Sequence, residues 1–247
     1  MNLITDIGNS YTKLAVFDKN ILINKRSFKN EKSEKTSEEI VKLKQQYPQI
    51  TNFILSSFKK EDRKLSSLIR DLFQNYVFFN DETPVPIKNL YETPKTLGKD
   101  RLAGIIAAGN IFPNRNVLVF DAGTALTVDF INAGKEYSGG SIAPGLEMRY
   151  KALNHFTDKL PNLEIFDNFE NIIGNNTENS IHSGVQNGIL YEIEGWIKRF
   201  SEKYTNLKVT FTGGDTFFFE RRLKKQIFAE PNLVLIGLNI ILKYNAK

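Results

Sequence analysis

Two short turns in the sequence each carry an aspartate directly after a run of apolar residues. The first is Asp6-Ile7-Gly8-Asn9, and the second is Asp121-Ala122-Gly123-Thr124. The glycine in each turn allows backbone N–H groups to come close to a ligand, and such groups bind phosphate. Each carboxylate offers the oxygen atoms that hard cations prefer. One turn of this kind is commonly only a turn, but two copies favour a duplicated, two-lobed molecule whose turns face one cleft.

Polar residues beside both turns suit the binding of a phosphate group. Short polar or cationic side chains follow the glycine of each turn: Asn9, Ser10 and Lys13 after Gly8, and Thr124 and Thr127 after Gly123. The Lys13 ammonium would offset part of the phosphate charge. Two glycine-rich segments, 139–145 and 212–215, either extend a nucleotide pocket or form ordinary turns.

Other common phosphate-binding motifs are missing. No two glycines are separated by a single residue, so neither a dinucleotide-binding fingerprint nor a protein-kinase glycine loop is present. Gly98-Lys99 and Gly134-Lys135 lack the upstream glycine of a P-loop. Ser10 and Lys13 do match the Ser-x-x-Lys signature of acyl-transfer enzymes, but the accompanying Ser-Asp-Asn and Lys-Thr-Gly elements are absent from the sequence. The local pattern is also that of a strand, so we discount acyl transfer.

Strands and helices alternate along the predicted chain, which indicates an α/β fold. The apolar pattern predicts strands at 3–5, 11–17, 53–55, 77–79, 117–120 and 126–131, and helices at 31–46, 65–73 and from Asp100 onward. The proline-rich stretch 83–94 is predicted to be a loop. A lobe boundary is expected near 112–116, which gives an N-terminal lobe of residues 1–115 and a C-terminal lobe of residues 116–247.

Composition excludes several classes of protein. The 247 residues include no cysteine and two histidines, which rules out disulfides, thiol nucleophiles and cysteine or histidine-rich metal centres. We expect His155 and His182 to lie on the surface or at an interface. The net charge is +5, from 33 Lys+Arg against 28 Asp+Glu, but the two signs are interleaved, which argues against nucleic-acid binding.

The chain shows no sign of a membrane segment or an export signal. Its longest apolar stretch, 233–242, contains a glycine and an asparagine and is shorter than the ~20 residues that a spanning helix needs. The first residues lack the basic start of a secretory signal. We therefore expect a cytoplasmic protein.

A set of motifs, in order, resembles the type III pantothenate kinases over nearly the whole chain. The motifs are Asp6-Ile7-Gly8-Asn9-Ser10, Tyr91-x-x-Pro94-x-x-x-Gly98-x-Asp100-Arg101, Asp121-x-Gly123-Thr124-Ala125-x-Thr127, Gly139-Gly140-x-Ile142-x-Pro144-Gly145, Thr177-x-x-Ser180-Ile181-x-Ser183-Gly184 and Thr212-Gly213-Gly214-Asp215. The resemblance implies a duplicated, two-lobed acetate and sugar kinase/actin-like (ribonuclease H-like) fold. It also implies a homodimer that uses ATP to convert pantothenate to 4'-phosphopantothenate, the first step of coenzyme A biosynthesis.

The same resemblance implies a role for individual residues. The residues implied to bind ATP are Asp6, Ile7, Gly8, Asn9, Ser10, Tyr11, Thr12, Lys13 and Thr124. The residues implied to bind pantothenate are Tyr91, Gly98, Lys99, Asp100, Arg101 and Thr177. Asp100 is the implied proton acceptor, Asp121 the ligand of a monovalent cation (K⁺ or NH₄⁺), and Asp6 is assigned to Mg²⁺. The chain departs from the family at Lys99, where a small residue is common, and at Asp158, in a stretch that is usually less charged.

The residues themselves agree with a role for Asp100 in phosphoryl transfer. Asp100 begins a predicted helix between Lys99 and Arg101, and the helix dipole and both cations favour its ionised form. A carboxylate is a weak base for an alcohol, but in a loose transition state it needs only to orient the attacking hydroxyl. Arg101 or Tyr91 would then hold the carboxylate or amide of the substrate. The alternative is that Asp100 only caps the helix.

Two other functions stay open at the level of sequence, because a fold alone does not fix a function. One is a nucleotide sensor or transcription accessory protein without catalytic turnover. The other is an ATPase or phosphatase of the same superfamily, which would hydrolyse nucleotide without pantothenate. We also expect that the second subunit of the dimer completes the substrate pocket.

Overall fold

The chain divides into two compact units in a computed structural model that describes residues 1–30, 33–57, 62–167, 169–223 and 227–246. The first unit comprises Met1–Asn110 together with Leu233–Lys247, and the second comprises Ile111–Asn232. Residues 31 and 32, at the start of the first predicted helix, lie outside the described residues.

The first unit is built on one mixed sheet. Its elements are β1 (Asn2–Ile7), β2 (Tyr11–Asp18), β3 (Ile21–Lys29), α1 (Ser33–Gln46), β4 (Asn52–Ser57), α2 (Arg63–Leu72), β5 (Asn75–Phe78), β6 (Lys88–Asn89), a 3₁₀ turn (Pro94–Thr96) and α3 (Lys99–Ile111). The sheet order is β3-β2-β1-β4-β5. The pairs β1–β2 and β2–β3 are antiparallel, whereas β1–β4 and β4–β5 are parallel.

The second unit repeats this arrangement. Its elements are β7 (Val117–Ala122), β8 (Ala125–Ile131), β9 (Glu136–Pro144), α4 (Leu146–His155), α5 (Thr177–His182), a π-helical turn (Ser183–Asn187), α6 (Gly188–Lys203), β10 (Lys208–Thr212), α7 (Thr216–Arg222) and β11 (Phe228–Ala229). The last helix, α8 (Leu233–Asn245), belongs to the first unit. Strands β7, β8 and β9 form an antiparallel meander. Strand β10 pairs in parallel with β7, and β11 pairs in parallel with β10. The predicted duplication is therefore present in the strand topology.

Apolar side chains on one face of the first sheet explain why its helices form where they do. Ile40 and Leu43 of α1 are buried one helical turn apart against this face. Helix α2 begins at Asp62, whose carboxylate accepts the N–H groups of Lys64 and Leu65 at 3.0 and 3.2 Å. Its buried face, with Ile69, closes the same cluster. Helices α1 and α2 and this face of the first sheet therefore form one continuous hydrophobic core.

Residues 139–144 of the glycine-rich segment belong to strand β9 and pair with β8, whereas Gly145 follows the strand and precedes α4. A Cβ atom at Gly140 would lie 1.9 Å from the carbonyl oxygen of Val128, so only glycine fits this close approach of two strands. The sequence pattern suggests a turn because glycine is common in both settings.

The last helix packs with the first unit, whereas the expected C-terminal lobe of residues 116–247 would have grouped it with the second. Asn239 of α8 accepts a hydrogen bond from Asn2 at 2.7 Å and donates one to the Lys19 carbonyl at 2.9 Å. Gly237 lies against α3, where a Cβ atom would be 1.9 Å from the carbonyl oxygen of Ala103. Buried polar contacts and close helix packing therefore decide its place. Among the described residues, none of the helices is long and apolar enough to cross a membrane.

The contact of α8 with α3 gives a stability prediction. We expect Gly237→Ala to lower the free energy of unfolding by about 2 kcal/mol or more, because the added methyl group forces the two helices apart. Gly195 of α6 has no atom within 4 Å of its would-be Cβ. Gly195→Ala should therefore raise stability by about 0.5–1 kcal/mol through helix propensity. Thermal unfolding of both variants should move the melting temperature in opposite directions, and a destabilisation shared by both would contradict the packing argument.

Candidate active site

Asp6 lies at the end of β1, where the sheet brings three polar side chains together. Its neighbours in the strand register are Lys13 on β2 and Ser56 on β4. Asp6 is nearly buried, and burial raises the pKa of its carboxyl group to about 6. The charge of Lys13 and a hydrogen bond from Ser56 lower this pKa, and the nearby carboxylate of Asp100 raises it. Asp6 and Asp100 therefore share one electrostatic environment.

Asp100 lies in the first turn of α3, as the sequence predicts. Its Oδ1 accepts the N–H of Arg101 at 2.8 Å. A Cβ atom at Gly98 would lie 2.6 Å from this Oδ1, so the glycine leaves the space that the carboxylate occupies. The Lys99 ammonium donates to the Ser57 carbonyl at 2.9 Å and ties the start of α3 to the end of β4. Lys99, the departure from the family pattern, thus anchors the helix that carries Asp100.

Tyr91 and Arg101 form a pair next to this helix start. The guanidinium carbon of Arg101 lies 5.7 Å from the centre of the Tyr91 ring, a cation–π distance. Arg101 is largely buried, and the N–H of Tyr91 donates to the side chain of Asn89 at 3.0 Å. Five of the six residues predicted to bind pantothenate therefore come together in the first unit.

The first glycine turn is closed by backbone and side-chain hydrogen bonds. The N–H of Gly8 donates to the Tyr11 carbonyl at 3.0 Å. The Thr12 side chain is buried and donates to Asn30, which also contacts the turn itself. Sequence reasoning missed Asn30 and Ser56, because their roles depend on strand pairing between residues that are distant in the chain.

The second turn, at the end of β7, is supported by two glycine segments. A Cβ atom at Gly213, whose φ is +96°, would lie 2.2 Å from the Ala122 carbonyl oxygen and 2.6 Å from Oδ1 of Asp121. A Cβ atom at Gly145 would lie 2.1 Å from the Gly123 carbonyl oxygen. Both segments therefore pack closely on this turn because they lack side chains. Their contact with a nucleotide stays a prediction.

Two residues at the second turn, Asp121 and Thr127, carry side-chain oxygen atoms of the kind that bind cations. Asp121 faces Thr127 across the β7–β8 pair, and the Thr127 hydroxyl oxygen is buried with no hydrogen-bond partner among the described residues. Partial burial and the negative charge of Glu147 raise the pKa of Asp215, next to Gly213 and Gly214, to about 6. No cluster of three or more His, Cys, Asp or Glu side chains suited to a metal occurs within the described ranges. The binding of a cation at Asp121 stays a prediction.

Thr177 lies in the second unit at the start of α5. The preceding Asn176 caps this helix by accepting the N–H of Asn179 at 2.8 Å. Thr177 lines a cavity of about 860 Å³ with Arg149 and mostly apolar side chains of α4 and α5. Because Thr177 and Tyr91 belong to different units, their meeting around one substrate stays a prediction.

His182 is buried, so the expectation of a surface or interface position is wrong for this residue. Its Nδ1 lies 2.8 Å from the Tyr150 hydroxyl, which also accepts a hydrogen bond from Gln186 at 2.9 Å. The histidine therefore belongs to a satisfied polar network in the second unit.

Solved structures show the class of fold. The chain matches a conserved putative Baf family transcriptional activator from Campylobacter jejuni with a TM-score of 0.62 at 23% identity, over 98% of each chain. It matches a putative N-acetylmannosamine kinase from Listeria monocytogenes with a TM-score of 0.59 at 12% identity, over 100% of this chain and 99% of that one. Together with the duplicated sheets, these matches show the acetate and sugar kinase/actin-like fold.

Sequence comparison then gives the family. The family model described as type III pantothenate kinase matches residues 2–199. A type III pantothenate kinase of Phocaeicola vulgatus is 45% identical over 247 residues, which cover all of both chains, and one of Christiangramia forsetii is 42% identical over 99% of each chain. The chain belongs to the type III pantothenate kinase family, whose members are phosphotransferases.

The buried carboxylate of Asp6 gives a prediction on pH and stability. In the folded chain the pKa of Asp6 is about 6, above its ordinary value of 3.8, so unfolding releases a proton between about pH 4 and 6. The contribution of Asp6 to stability therefore falls as the pH rises through this window. Asp6→Asn should raise the free energy of unfolding by up to about 3 kcal/mol above pH 6 and by little near pH 4.

Urea unfolding of the two proteins from pH 4 to pH 8 measures this difference. Asp18→Asn is the matched control, since Asp18 is an exposed carboxylate at the end of β2. A stability difference between wild type and Asp6→Asn that stays constant across the pH range would contradict the buried, protonatable Asp6.

Proposed function

We propose that this protein transfers the γ-phosphoryl group of ATP to pantothenate and forms 4'-phosphopantothenate, the first step of coenzyme A biosynthesis. The observation that carries the proposal is the position of Asp100, at the start of α3 and within electrostatic reach of Asp6 beside the first glycine turn. Membership of the family supports the choice of substrate.

Asp100 orients the acceptor hydroxyl in this proposal. One carboxylate oxygen, Oδ1, is held by the N–H of Arg101, which leaves the carboxylate able to accept the hydroxyl proton of pantothenate. The hydroxyl oxygen forms a bond to the γ-phosphorus, the bond from that phosphorus to the bridging oxygen of ADP breaks, and Asp100 takes the proton late in the reaction. Gly98 and Lys99 keep the carboxylate in place through the contacts described above.

The residues of the first turn bind the phosphate groups of ATP. Lys13 lies next to Asp6 and offsets phosphate charge, and the backbone of Gly8, Asn9 and Ser10 approaches the phosphates closely. Asp6 would hold Mg²⁺, because proteins commonly bind this ion through one or two carboxylates together with substrate phosphates and water. Mg²⁺ would neutralise negative charge on the transferred group.

Tyr91 and Arg101 recognise the substrate in this proposal. The guanidinium of Arg101, held over the Tyr91 ring, matches the geometry of a carboxylate such as the one that pantothenate carries. Thr177 and Thr124, from the second unit, are assigned to pantothenate and to ATP on the family resemblance. The homodimer and the cytoplasmic location are part of the same proposal.

A monovalent cation, K⁺ or NH₄⁺, would bind at Asp121. The unpartnered hydroxyl of Thr127 on the same face of the sheet supplies a second oxygen ligand, and this orphaned group is the observation that supports the site. The cation would offset part of the charge of the triphosphate.

An assay with ATP, Mg²⁺ and K⁺ tests the reaction. Asp100→Asn should lower kcat by about 10²-fold or more, as expected for loss of an acid–base group, while ATP binding persists. Gly98→Ala should lower kcat less, because it displaces the Asp100 carboxylate without removing it. Formation of phosphopantothenate by wild type, measured with purified protein, is the required positive control.

The same assay separates the alternatives. ATP hydrolysis at an equal rate with and without pantothenate would indicate an ATPase, and nucleotide binding without any turnover would indicate a sensor. Full activity of Asp100→Asn would refute the role given to this carboxylate.

The proposed cation site predicts an effect of K⁺ on protein stability that can be measured without catalysis. Without K⁺, Thr127→Val should be at least as stable as wild type, because it removes a buried hydroxyl that has no partner. With K⁺, wild type should gain more stability than Thr127→Val, and Thr127→Ser should recover the gain. Thermal unfolding in sodium and potassium buffers measures both effects, with Asp121→Asn as the variant expected to lose the K⁺ response. An equal K⁺ response in Thr127→Val and wild type would exclude this hydroxyl as a ligand.

A further inference from the structure

Asn30, which directly follows β3, directs its side chain at the first glycine turn. Its Nδ2 donates to the Gly8 carbonyl at 2.6 Å and to the Asn9 carbonyl at 3.2 Å, and its Oδ1 accepts the Thr12 hydroxyl at 2.6 Å. Its backbone N–H donates to the Ser10 carbonyl at 3.0 Å. We propose that Asn30 is a positioning residue that orients the backbone of this turn to bind the phosphate groups of a nucleotide. The proposal rests on the nucleotide site of the proposed function.

The orientation of the peptide groups follows from these contacts. The described chain contains no cis peptide bond, so each N–H points opposite to the carbonyl of the same peptide group. The carbonyls of Gly8 and Asn9 both point at Asn30. The N–H groups of Asn9 and Ser10 therefore point away from Asn30. Successive N–H groups directed to one side form a concave site that attracts anions.

Thr12 fixes the orientation of the Asn30 amide. Both carbonyl groups of the turn can only accept hydrogen bonds, so the amide nitrogen must face them and the amide oxygen must face the Thr12 hydroxyl. Thr12 is buried in β2, within the sheet. The amide is therefore anchored to the rigid part of the sheet on one side and holds the turn on the other.

An asparagine side chain is the group that meets these demands at this distance. Aspartate has the same shape, but its second carboxylate oxygen would face two carbonyl oxygens and would add negative charge beside a phosphate site. Alanine would leave both carbonyls and the Thr12 hydroxyl without this partner.

The test compares nucleotide binding by Asn30→Ala and Asn30→Asp with that of wild type. Calorimetric titration with ATP and Mg²⁺ gives the affinity, and steady-state kinetics give the KM values for ATP and for pantothenate. We expect roughly 10- to 100-fold weaker ATP binding in both variants, from the loss of two or three hydrogen bonds that preorganise the turn. The KM for pantothenate should change little. Asn24→Asp is the matched control, because Asn24 lies on β3 and contacts Tyr47 instead of the turn.

The outcomes separate this proposal from the proposed function. Wild-type ATP affinity in Asn30→Ala overturns the positioning role, as does an equal rise in the KM values for ATP and for pantothenate in a variant that folds normally. If Asn30→Ala does not fold, Thr12→Val removes the hydroxyl that donates to Asn30 and should still weaken ATP binding, and Thr12→Ser should restore it. Wild type that binds ATP without phosphorylating pantothenate would refute the function and leave the test of Asn30 intact. Wild type that binds no nucleotide overturns both.

Discussion

The burial of a carboxylate at the end of β1 is the constraint on which the site depends. Asp6 is 8% exposed, and a charged carboxylate at that exposure loses most of its hydration. The sheet compensates with Lys13 and Ser56 on the two neighbouring strands, but the nearby Asp100 acts in the opposite direction. In the absence of ligand the carboxylate therefore has a raised pKa. A cation held at Asp6, as proposed above, would stabilise the charged form of the carboxylate and lower this pKa.

Two contacts hold the start of α3, the helix that carries Asp100. The Lys99 ammonium binds the Ser57 carbonyl on β4, and the N–H of Arg101 binds the Asp100 carboxylate. Both contacts lie within one turn of the helix. Asp100 is thus held by its two neighbours in sequence, of which Lys99 also binds a partner on a strand distant in the chain.

Local patterns in the sequence sufficed for the parts of the fold that depend on local physics. Both hairpins, the helix that begins at Asp100 and the duplicated turns could be predicted, because strand alternation, helical spacing and glycine turns are encoded within a few residues. The residues proposed for the site came from the family resemblance. The place of α8 could not be predicted, because it depends on the contacts of Gly237 with Ala103 and of Asn239 with Asn2, across more than a hundred residues of chain. Asn30 and Ser56 were missed for the same reason.

The two copies of the glycine turn differ in length and in the contacts that support them. In the first copy two residues, Asn9 and Ser10, separate Gly8 from its hydrogen-bond partner Tyr11, whereas Thr124 alone separates Gly123 from Ala125. The residue after the third strand of each meander donates its N–H to the turn, from Asn30 to Ser10 and from Gly145 to Thr124.

A side chain is excluded at Gly145, because its Cβ would meet the Gly123 carbonyl oxygen at 2.1 Å. The longer first turn has room for a side chain at the equivalent place, and the Asn30 amide occupies it. The shorter turn is supported by the close packing of the Gly145 backbone, and a side chain at Gly145 would disturb this contact. The longer turn depends on one amide, so the N–H groups of Asn9 and Ser10, proposed to face phosphate, are held by a contact that has no counterpart in the second turn.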